Sequence, residues 1–412
     1  MKFGGTSVDG SERLRRILPL IRSAAYYHPV LIVVSAFRGV TDALLSIANA
    51  ASNGVSWETT WQHVVERHRH AAEELGLAPC SEIERYAQEL YDLATGIALL
   101  GECTPRMRDA IAAYGELFSS QLLAQLLALT DSVVWHDART SLHTDARFTN
   151  ARINWERTYA ATRTTVLPLF ERYRIVVTQG FIASTTNGIT TTLGRGGSDY
   201  SASLFGAALG ADCVEIWTDV SGVYTADPRV IPEARSLPAV TINEVRTLSA
   251  YGAKVLHPLT IEPAIKHGIP VRVRNTFEPT HPGTTIVSTL DVPTEGIRAL
   301  TLIDVYRSNH PYEGSELVAS VQLKGESYFF MQHRTSERDQ PVTLICCIGE
   351  GIHRSNRALE QIGGASTSTG ITPTLVAAGS NVLLIEVSRS ESERFFRALH
   401  DAMCHDAVEV FP

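Results

Sequence analysis

The sequence has 412 residues, of which 44% are hydrophobic and 19% are charged, and its formal net charge is −8. A chain of this length can bury two or three hydrophobic cores. The acidic balance, without a basic stripe or tail, argues against a nucleic-acid-binding protein, and no apolar run approaches the ~20 residues that a membrane-spanning helix needs. No signal peptide is recognised at the start. We therefore expect a cytoplasmic protein with no membrane association, whose six cysteines are scattered free thiols.

A glycine-rich turn opens the chain, Lys2-Phe3-Gly4-Gly5-Thr6-Ser7, and a segment with a helical pattern follows it. Glycine lets backbone N–H groups approach an anion closely, and the N-terminus of a helix adds a partial positive charge. The Lys2 ammonium can neutralise phosphate oxygens as charge shifts between them. The alternative is a lysine that only meets solvent. One such turn is a weak signal, because glycine turns are common where strands meet helices.

Strand and helix patterns alternate through the first 290 residues. The continuous β-branched run at residues 30–35 is typical of a strand that is buried on both faces of a parallel sheet. Ser35 and Thr41 come just after it and can offer hydroxyls to a ligand, although helix capping would explain Thr41 as well. Similar strand patterns cover residues 132–136, 175–178, 213–218 and 271–274, and the clearest helical pattern covers residues 105–129. The alternation predicts an α/β domain that binds ligands at the carboxyl ends of its strands.

Glu116 falls within the apolar helical pattern that surrounds it. An isolated carboxylate there costs free energy unless a cation or a ligand pairs with it. We predict that Glu116 holds an ammonium group, with a surface-facing glutamate as the alternative. Three histidines, His63, His68 and His70, have a spacing that puts no i, i+4 pair on one helix face. We expect them on a solvated surface rather than in a metal site.

A second glycine-rich turn, Thr192-Leu193-Gly194-Arg195-Gly196-Gly197-Ser198-Asp199, lies about 190 residues after the first. It places a forked cation, a hydroxyl and a carboxylate at a helix start. Arginine can bind a substrate carboxylate through two parallel hydrogen bonds; Asp199 is alternatively an early-helix acid that the dipole favours. Two such turns, each with its own cation, suggest a polyphosphate that is bound from both sides. This pattern indicates phosphoryl transfer.

Residues 217–229, WTDVSGVYTADPR, follow a predicted buried strand. They place an aromatic side chain, acids and a cation where a nucleotide base and its phosphates could lie. Lys254 adds another cation at the end of a predicted helix. No residue set is assigned as a metal site.

The C-terminal region has a different pattern after the prolines and glycine of residues 279–284. We predict domains at 1–285 and 286–412. The second would contain small α+β modules, a degenerate one at 297–340 and a complete one at 341–412. The complete module has the order strand 342–348, helix 356–362, strand 372–377, strand 381–388 and helix 392–403, which fits a ferredoxin-like fold. Its helices carry no convergent acids, bases or metal ligands, so we expect regulation or assembly there.

Taken together, these motifs resemble those of the aspartate kinases of the amino-acid kinase superfamily. The matching segments are KFGGTSV at 2–8, VVSAFRGVTDALL at 33–45, GE at 115–116, DAR at 137–139, TTLGRGGSDYSAS at 191–203, WTDVSGVYTADPR at 217–229 and YGAKVLHP at 251–258. The resemblance implies a three-layer α/β sandwich with a mainly parallel sheet, followed by ferredoxin-like ACT modules. It also implies phosphorylation of the β-carboxylate of L-aspartate to 4-phospho-L-aspartate, with ATP and Mg²⁺, as the first step of the lysine, threonine and methionine pathways.

The same resemblance assigns roles to individual residues. Lys2 and Asp199 match the catalytic lysine and the acid that organises it, and the matches to residues that hold the amino-acid substrate are Thr41, Glu116, Arg195 and Ser198. The residues expected to bind ATP are Lys2, Gly4, Gly5, Thr6, Ser35, Thr218, Asp219, Tyr224, Arg229 and Lys254.

Two departures from the family pattern matter. Only Met1 precedes Lys2, where relatives carry several apolar residues. We therefore expect Lys2 to be poorly anchored, so that either the start is truncated or the site is weakened. The first ACT module is hard to find, because Tyr306-Arg307-Ser308-Asn309-His310-Pro311 stands where its effector-binding helix should begin. We therefore expect feedback inhibition by lysine or threonine to be weak or absent. A homodimer or higher homo-oligomer through the ACT region is expected from the family.

Two other functions stay open on the sequence. One is a related acyl-phosphate-forming kinase that acts on a modified aspartate or on glutamate, since the phosphate turns would be shared. The other is a non-catalytic amino-acid sensor built on an inactive kinase. Lys2, Arg195, Asp199 and Lys254 are all present, which argues against the sensor.

Overall fold

The computed structural model describes residues 1–77, 79–253, 256–290, 295–310, 316–323, 326–334 and 336–405. Contacts divide the chain into two compact units, one of residues 1–222 with 259–285 and one of residues 223–258 with 286–412. The sequence predicted a single boundary at residue 285, and the contacts instead place residues 223–258 with the C-terminal part. The reason is packing, since Ala226 and Ile231 are buried in one apolar cluster with Ile345 and Phe395.

The helices and strands follow each other as the alternating pattern predicts. The elements up to residue 218 are β1 (Lys2–Phe3), α1 (Ser11–Tyr27), β2 (Val30–Val34), α2 (Val40–Ser52), α3 (Glu58–Leu75), α4 (Ser81–Leu100), α5 (Pro105–Ala112), α6 (Tyr114–Ala128), β3 (Val133–His136), β4 (His143–Thr144), α7 (Trp155–Val166), β5 (Ile175–Gln179), β6 (Ile182–Thr185), β7 (Thr190–Thr192), α8 (Gly197–Leu209) and β8 (Val214–Thr218). The elements after them are β9 (Ala239–Thr241), α9 (Ile242–Ala250), α10 (Pro258–Lys266), β10 (Val271–Asn275), β11 (Thr284–Val287), β12 (Ala299–Ser308), β13 (Leu317–Leu323), β14 (Glu326–Met331), β15 (Gln340–Ile348), α11 (Asn356–Thr369), β16 (Thr374–Gly379), β17 (Val382–Ser388) and α12 (Ser392–His405).

The main sheet of the first unit contains the strand order β3-β5-β2-β1-β8-β10, followed by β11. Every pair from β3 to β10 is parallel. Successive residues of a strand point to opposite faces, and Ile32, Val33 and Val34 of β2 are all buried. Both faces of the sheet are therefore covered, by helices that include α1, α6 and α8. This arrangement confirms the predicted three-layer α/β fold with a mainly parallel sheet.

The predicted strands of the first unit agree with the observed ones to within a residue at each end. The predicted helix at 105–129 is instead two helices, α5 and α6, which meet at Ala113. Gly115 lies just after this junction and packs directly on Ala36 at the end of β2. The junction thus lets the start of α6 approach the loop that follows β2.

In the second unit, an antiparallel sheet has the order β13-β14-β12-β15-β17-β16. Helices α11 and α12 pack against each other, and the apolar cluster beneath them includes Leu300, Ile345, Leu383 and Phe395. Strand β12 pairs with β15 from Ala299 to Arg307. The predicted elements of the C-terminal module are confirmed in order and type.

One ferredoxin-like module accounts for β15, α11, β16, β17 and α12, and its fourth strand is β12. The sheet order β12-β15-β17-β16 is that of a ferredoxin-like fold whose last strand comes first in the sequence. The predicted first module, at 297–340, therefore divides into this fourth strand and a hairpin, β13–β14, that pairs on its outer side. Within the described ranges, no helix is both long and apolar enough to cross a bilayer.

Candidate active site

The first unit brings several loops together, because its parallel strands end at the same edge of the sheet. The first glycine turn follows β1, residues 35–39 follow β2, Gly180 follows β5, and Thr218 ends β8. Open α/β sheets bind ligands in the crevice outside these carboxyl ends. We call the group formed by Lys2, Glu116, Arg195 and Asp199 with turn 4–7 the strand-end site.

Lys2 lies at the centre of this site. It pairs across β1 with Val33 on one side and with Ile216 on the other. The Lys2 side chain is almost fully buried, and its Nζ lies 2.7 Å from Oδ1 of Asp199. The prediction of a poorly anchored Lys2 is therefore wrong, since strand pairing on both sides and an ion pair hold it.

Asp199 reaches Lys2 from the first turn of α8. This position is favourable for a carboxylate, because the N-terminus of a helix carries a partial positive charge. Ser198, one residue before it, packs against Gly180 at the end of β5. The second glycine turn is thus placed over β5, close to the first.

The first glycine turn is packed between the ends of β2 and β8. The Gly4 N–H donates to the Trp217 carbonyl at 3.1 Å. A Cβ on Gly5 would lie 2.9 Å from the Ala36 carbonyl oxygen, so no side chain fits at that position. Ser7 forms a 2.7 Å hydrogen bond with Thr276 after β10. Thr6, in the single 3₁₀ turn of residues 5–7, is half-buried.

Glu116 approaches the same edge from α6. It is 3% exposed, and its Oε1 accepts a hydrogen bond from the Ala36 N–H at 3.2 Å. Its Oε2 has no hydrogen-bond partner within the described part of the chain. Burial raises the pKa of Glu116 to about 8, against which the Ala36 hydrogen bond acts. A buried carboxyl with one open oxygen is suited to binding an ammonium group.

The loop after β2 lies next to Glu116. Its Ser35 carbonyl accepts a hydrogen bond from the Ser119 hydroxyl, one turn along α6 from Glu116, at 2.8 Å. Gly39 precedes α2 in a left-handed conformation, and Thr41 lies half-buried in the first turn of that helix. Ser35 is thus near the strand-end site, on the Glu116 side, and Thr41 follows Val40, which packs near Gly115.

Arg195 differs from Lys2, the other cation of the site. It is exposed, and among the described residues no ion pair involves it. The glycines on either side, Gly194 and Gly196, have φ values of 74° and 73°, a region that favours glycine. The second turn therefore presents a guanidinium that is available to a ligand.

The predicted nucleotide residues fall into three groups. Thr218 and Asp219 follow β8 in the first unit, where Oγ1 of Thr218 donates to Oδ1 of Asp219 at 3.2 Å. Tyr224 and Arg229 belong to the second unit, and Arg229 forms an ion pair with Asp227 at 2.5 Å. Lys254 lies outside the described residues.

Sequence reasoning overlooked two residues near this site. Asp109 on α5 is buried and binds the loop of Thr149 and the end of β7 beside the second glycine turn. It lies seven positions before Glu116, on the same side of a helical pattern. His68 was expected on a solvated surface, and this expectation is wrong. His68 is fully buried between the rings of Phe37 and Phe118, on an apolar stripe of α3 with Val64, Ala72 and Leu75 that the helical spacing could have indicated.

The site offers two cations, one acidic partner, a buried carboxyl and a glycine turn at the ends of parallel strands. These groups can bind anions and an ammonium group, and none of them is a nucleophilic side chain activated by a histidine. In the described ranges, no three His, Cys, Asp or Glu side chains cluster as a protein metal site. Mg²⁺ commonly uses one or two carboxylates together with substrate phosphates, and Asp199 and Asp219 fit such a role.

Comparisons with known proteins agree with a site of this kind. The model of the amino acid kinase family matches residues 1–275. The chain is 32% identical to aspartokinase 2, chloroplastic, of Arabidopsis thaliana over 98% of this chain and 83% of that protein. It is also similar to two structures of E. coli aspartokinase III at 27% identity. The one with aspartate and ADP covers 98% of this chain and 99% of that chain with a TM-score of 0.76, and the one with lysine and aspartate covers 97% and 98% with a TM-score of 0.82.

Proposed function

Because the chain belongs to the aspartokinases of the amino acid kinase family, we propose that its strand-end site transfers the γ-phosphoryl group of ATP to the β-carboxylate of L-aspartate. The product is 4-phospho-L-aspartate, which begins the aspartate-family amino-acid pathway. The observation that carries the assignment to this site is the Lys2–Asp199 pair, whose charged atoms lie 2.7 Å apart between the two glycine turns.

The chemistry requires no general base. The β-carboxylate of aspartate is ionised at neutral pH, so one of its oxygens can attack the γ-phosphorus directly. The new oxygen–phosphorus bond forms while the bond to the β,γ-bridging oxygen breaks, and ADP leaves. The protein has only to align the two reactants and stabilise the charge that moves between their oxygens. This explains why the site lacks a serine or cysteine nucleophile paired with a histidine.

Lys2 is the group proposed to stabilise the transferred phosphoryl. Its ammonium is fixed by β1 and by Asp199, so it needs little reorganisation when charge develops. The turn of Gly4, Gly5 and Thr6 lies beside it. Since the Gly4 N–H is bonded to the Trp217 carbonyl, the N–H groups of Gly5 and Thr6 are those proposed to bind the phosphates, together with the Ser35 hydroxyl. Asp199 orients the ammonium through the ion pair.

Aspartate is proposed to bind at the opposite side of Lys2. Its ammonium group would pair with Glu116, whose open Oε2 has no partner among the described residues. Its α-carboxylate would pair with the exposed Arg195 through two hydrogen bonds. Thr41 and Ser198 would then contribute hydroxyls to the same ligand. These contacts orient the β-carboxylate toward Lys2 and the phosphates.

For the nucleotide, we keep Thr218, Asp219, Tyr224, Arg229 and Lys254 as the proposed binding residues. Mg²⁺, when bound with ATP, would neutralise phosphate charge, and Asp199 and Asp219 are the carboxylates proposed to hold it. A cytoplasmic location and assembly into a homodimer or higher homo-oligomer through the ACT region also stay predictions.

Feedback regulation is proposed to be weak. The described residues of the second unit form one ferredoxin-like module with an added hairpin rather than two modules. The alignment with the Arabidopsis relative extends over 462 positions although the chain has 412 residues. The relative therefore carries residues that this chain lacks.

A hydroxamate assay tests the function. The protein is incubated with ATP, Mg²⁺ and hydroxylamine, and L-aspartate is compared with L-glutamate and N-acetyl-L-glutamate. Hydroxamate formed with aspartate alone supports the proposal. Product with another acid would replace aspartate as the substrate, and ATP binding without turnover of any acid would favour a modified substrate or the non-catalytic sensor.

A further inference from the structure

Asp109 is an acid that the proposed reaction does not use, although it is only 2% exposed. Its carboxylate accepts four hydrogen bonds. Both oxygens accept from the Thr149 N–H, at 3.0 and 2.9 Å, and Thr192 donates its N–H at 2.9 Å and its hydroxyl at 2.7 Å. One buried carboxylate therefore joins the loop of Thr149 to the end of β7, two segments that are distant in sequence.

The first of these segments is strained. Thr149 has a φ of 73°, a conformation that β-branched residues rarely adopt. Such a conformation persists where neighbouring contacts hold it, often close to a functional site. The adjacent Asn150 contacts Gly194, because a Cβ built on Gly194 would lie 2.8 Å from Oδ1 of Asn150. The segment held by Asp109 thus supports the second glycine turn from one side.

The second segment leads directly into the same turn. Thr192 is the last residue of β7, and Gly194 and Arg195 follow within three residues. Asp109 consequently fixes the strand that enters the turn as well as the segment beneath it.

Asp109 also has a rigid connection to Glu116. The helical hydrogen bonds continue across the junction of α5 and α6, from the Ala113 N–H to the Asp109 carbonyl and from the Leu117 N–H to the Ala113 carbonyl, each at 3.1 Å. The two carboxylates therefore stand on one helical scaffold. Glu116 faces the proposed ammonium position, and Asp109 holds the turn that carries the guanidinium.

We propose that Asp109 is a positioning residue that sets the location of Arg195 relative to Glu116 and thereby determines the affinity for aspartate. The inference rests on the proposed function of the strand-end site. It requires Asp109 to act on the amino-acid side of the reaction through the 192–195 segment. Nucleotide binding at the first glycine turn would be untouched.

Kinetics of Asp109→Asn test this inference, with Asp145→Asn as the matched control. Asp145 accepts backbone hydrogen bonds from Arg147 and Arg152, on either side of Thr149 in the same loop, but it is exposed, and in the described part of the chain no hydrogen bond joins its carboxylate to β7. D109N should raise the KM for aspartate at least about tenfold, because a small displacement of a positioning group is costly, and leave the KM for ATP within about twofold. D145N should change neither. An unchanged KM for aspartate in D109N would overturn the proposal.

A double-mutant cycle separates positioning from general destabilisation. If Asp109 acts through Arg195, D109N should reduce kcat/KM for aspartate by less than about twofold in an R195A background. An equal loss in both backgrounds would contradict the proposal. Should D109N fail to fold, Thr192→Val removes a single donor and should give a smaller rise in the KM for aspartate, whereas an unchanged KM would count against Asp109.

Hydrogen exchange tests the positioning role of Asp109 without relying on the proposed function. In D109N the backbone amides of residues 192–199 should exchange faster than in the wild type, while those of residues 30–38 stay unchanged. Absence of aspartate turnover by the wild type would remove the proposed function but leave this measurement valid. Unchanged exchange at 192–199 in folded D109N would overturn the positioning role itself.

Discussion

Nζ of Lys2 lies 2.7 Å from Oδ1 of Asp199, with both side chains largely shielded from water. The two residues are far apart in sequence, one in β1 and the other in the first turn of α8. Replacing one partner of such a pair leaves the other charge poorly solvated. The pair therefore has a catalytic and a structural consequence, which different substitutions can separate.

Substitution of Lys2 by methionine should reduce kcat by about 10²- to 10³-fold, the range found when one preorganised charge-stabilising group is lost. The KM for aspartate should change little, because Lys2 is proposed to act on the phosphoryl group. Initial rates from a coupled ADP assay measure both constants. Lys266→Met is the matched control, since Lys266 is exposed on α10. A K2M enzyme with near-normal kcat would remove Lys2 from the mechanism.

Glu116→Gln should stabilise the fold while it weakens aspartate binding. In the folded protein the pKa of Glu116 is raised from 4.5 to about 8 by burial, so its ionised form is destabilising. Below pH 4.5 the group is protonated in both the folded and the unfolded state, so it does not change the free energy of unfolding of the wild type. Above pH 8 the buried carboxylate is ionised, and the full loss of stability is present. The advantage of E116Q should thus grow between these values to about 5 kcal/mol.

Chemical denaturation at pH 5, 7 and 9 measures this difference. The exposed Glu73 provides the control E73Q, which should show no pH-dependent gain. In the wild type, the KM for aspartate should fall as pH rises toward 8, because the ionised carboxylate binds the ammonium group. A KM for aspartate that E116Q leaves unchanged would argue that Glu116 does not touch the substrate.

Local patterns explain what the sequence could predict. The apolar run at 30–35 indicated β2, and the glycine turns beside Lys2 and Asp199 indicated ligand-binding loops at strand ends. The contact between Lys2 and Asp199 could not be read in this way, because it depends on how β1 and α8 pack. The sequence pattern can identify the residues of such a site, but it does not show which of them are in contact.

Asp109 shows more clearly what the sequence alone could not predict. Its partners are the backbone of Thr149 and the backbone and hydroxyl of Thr192, 40 and 83 residues away, and in sequence it is an ordinary helix acid. Strand β12 is a similar case, since its role as the fourth strand of the C-terminal module follows from pairing with β15. Long-range partners of this kind are set by tertiary packing and leave no local pattern.

His68 should make the fold sensitive to acid. It is stacked between Phe37 and Phe118 at centroid distances of 4.6 and 4.7 Å, and burial lowers its pKa from 6.5 to about 4. Between these values the unfolded chain binds a proton that the folded chain does not, so stability falls as pH falls. We expect a loss of about 2 to 4 kcal/mol from this group between pH 6.5 and 4.

Substitution His68→Phe keeps the aromatic stack and removes the titrating group. Its stability should therefore fall less than that of the wild type over this pH range, as measured by urea denaturation at pH 4, 5.5 and 7. His70→Gln is the control, because His70 is exposed on the same helix and should behave like the wild type. Parallel pH curves for wild type and H68F would show that the acid sensitivity has another source.

Lysine at millimolar concentration should not inhibit the enzyme. The described residues of the second unit provide one ferredoxin-like module, and the hairpin β13–β14 covers the outer edge of its strand β12. Effector binding between two modules would need a second set of strands and helices. Initial rates at subsaturating aspartate, with and without lysine or threonine, measure the response, and the E. coli relative solved with lysine provides the comparison enzyme. Inhibition of this protein at sub-millimolar lysine would show that the single module suffices to bind an effector and transmit its effect to the strand-end site.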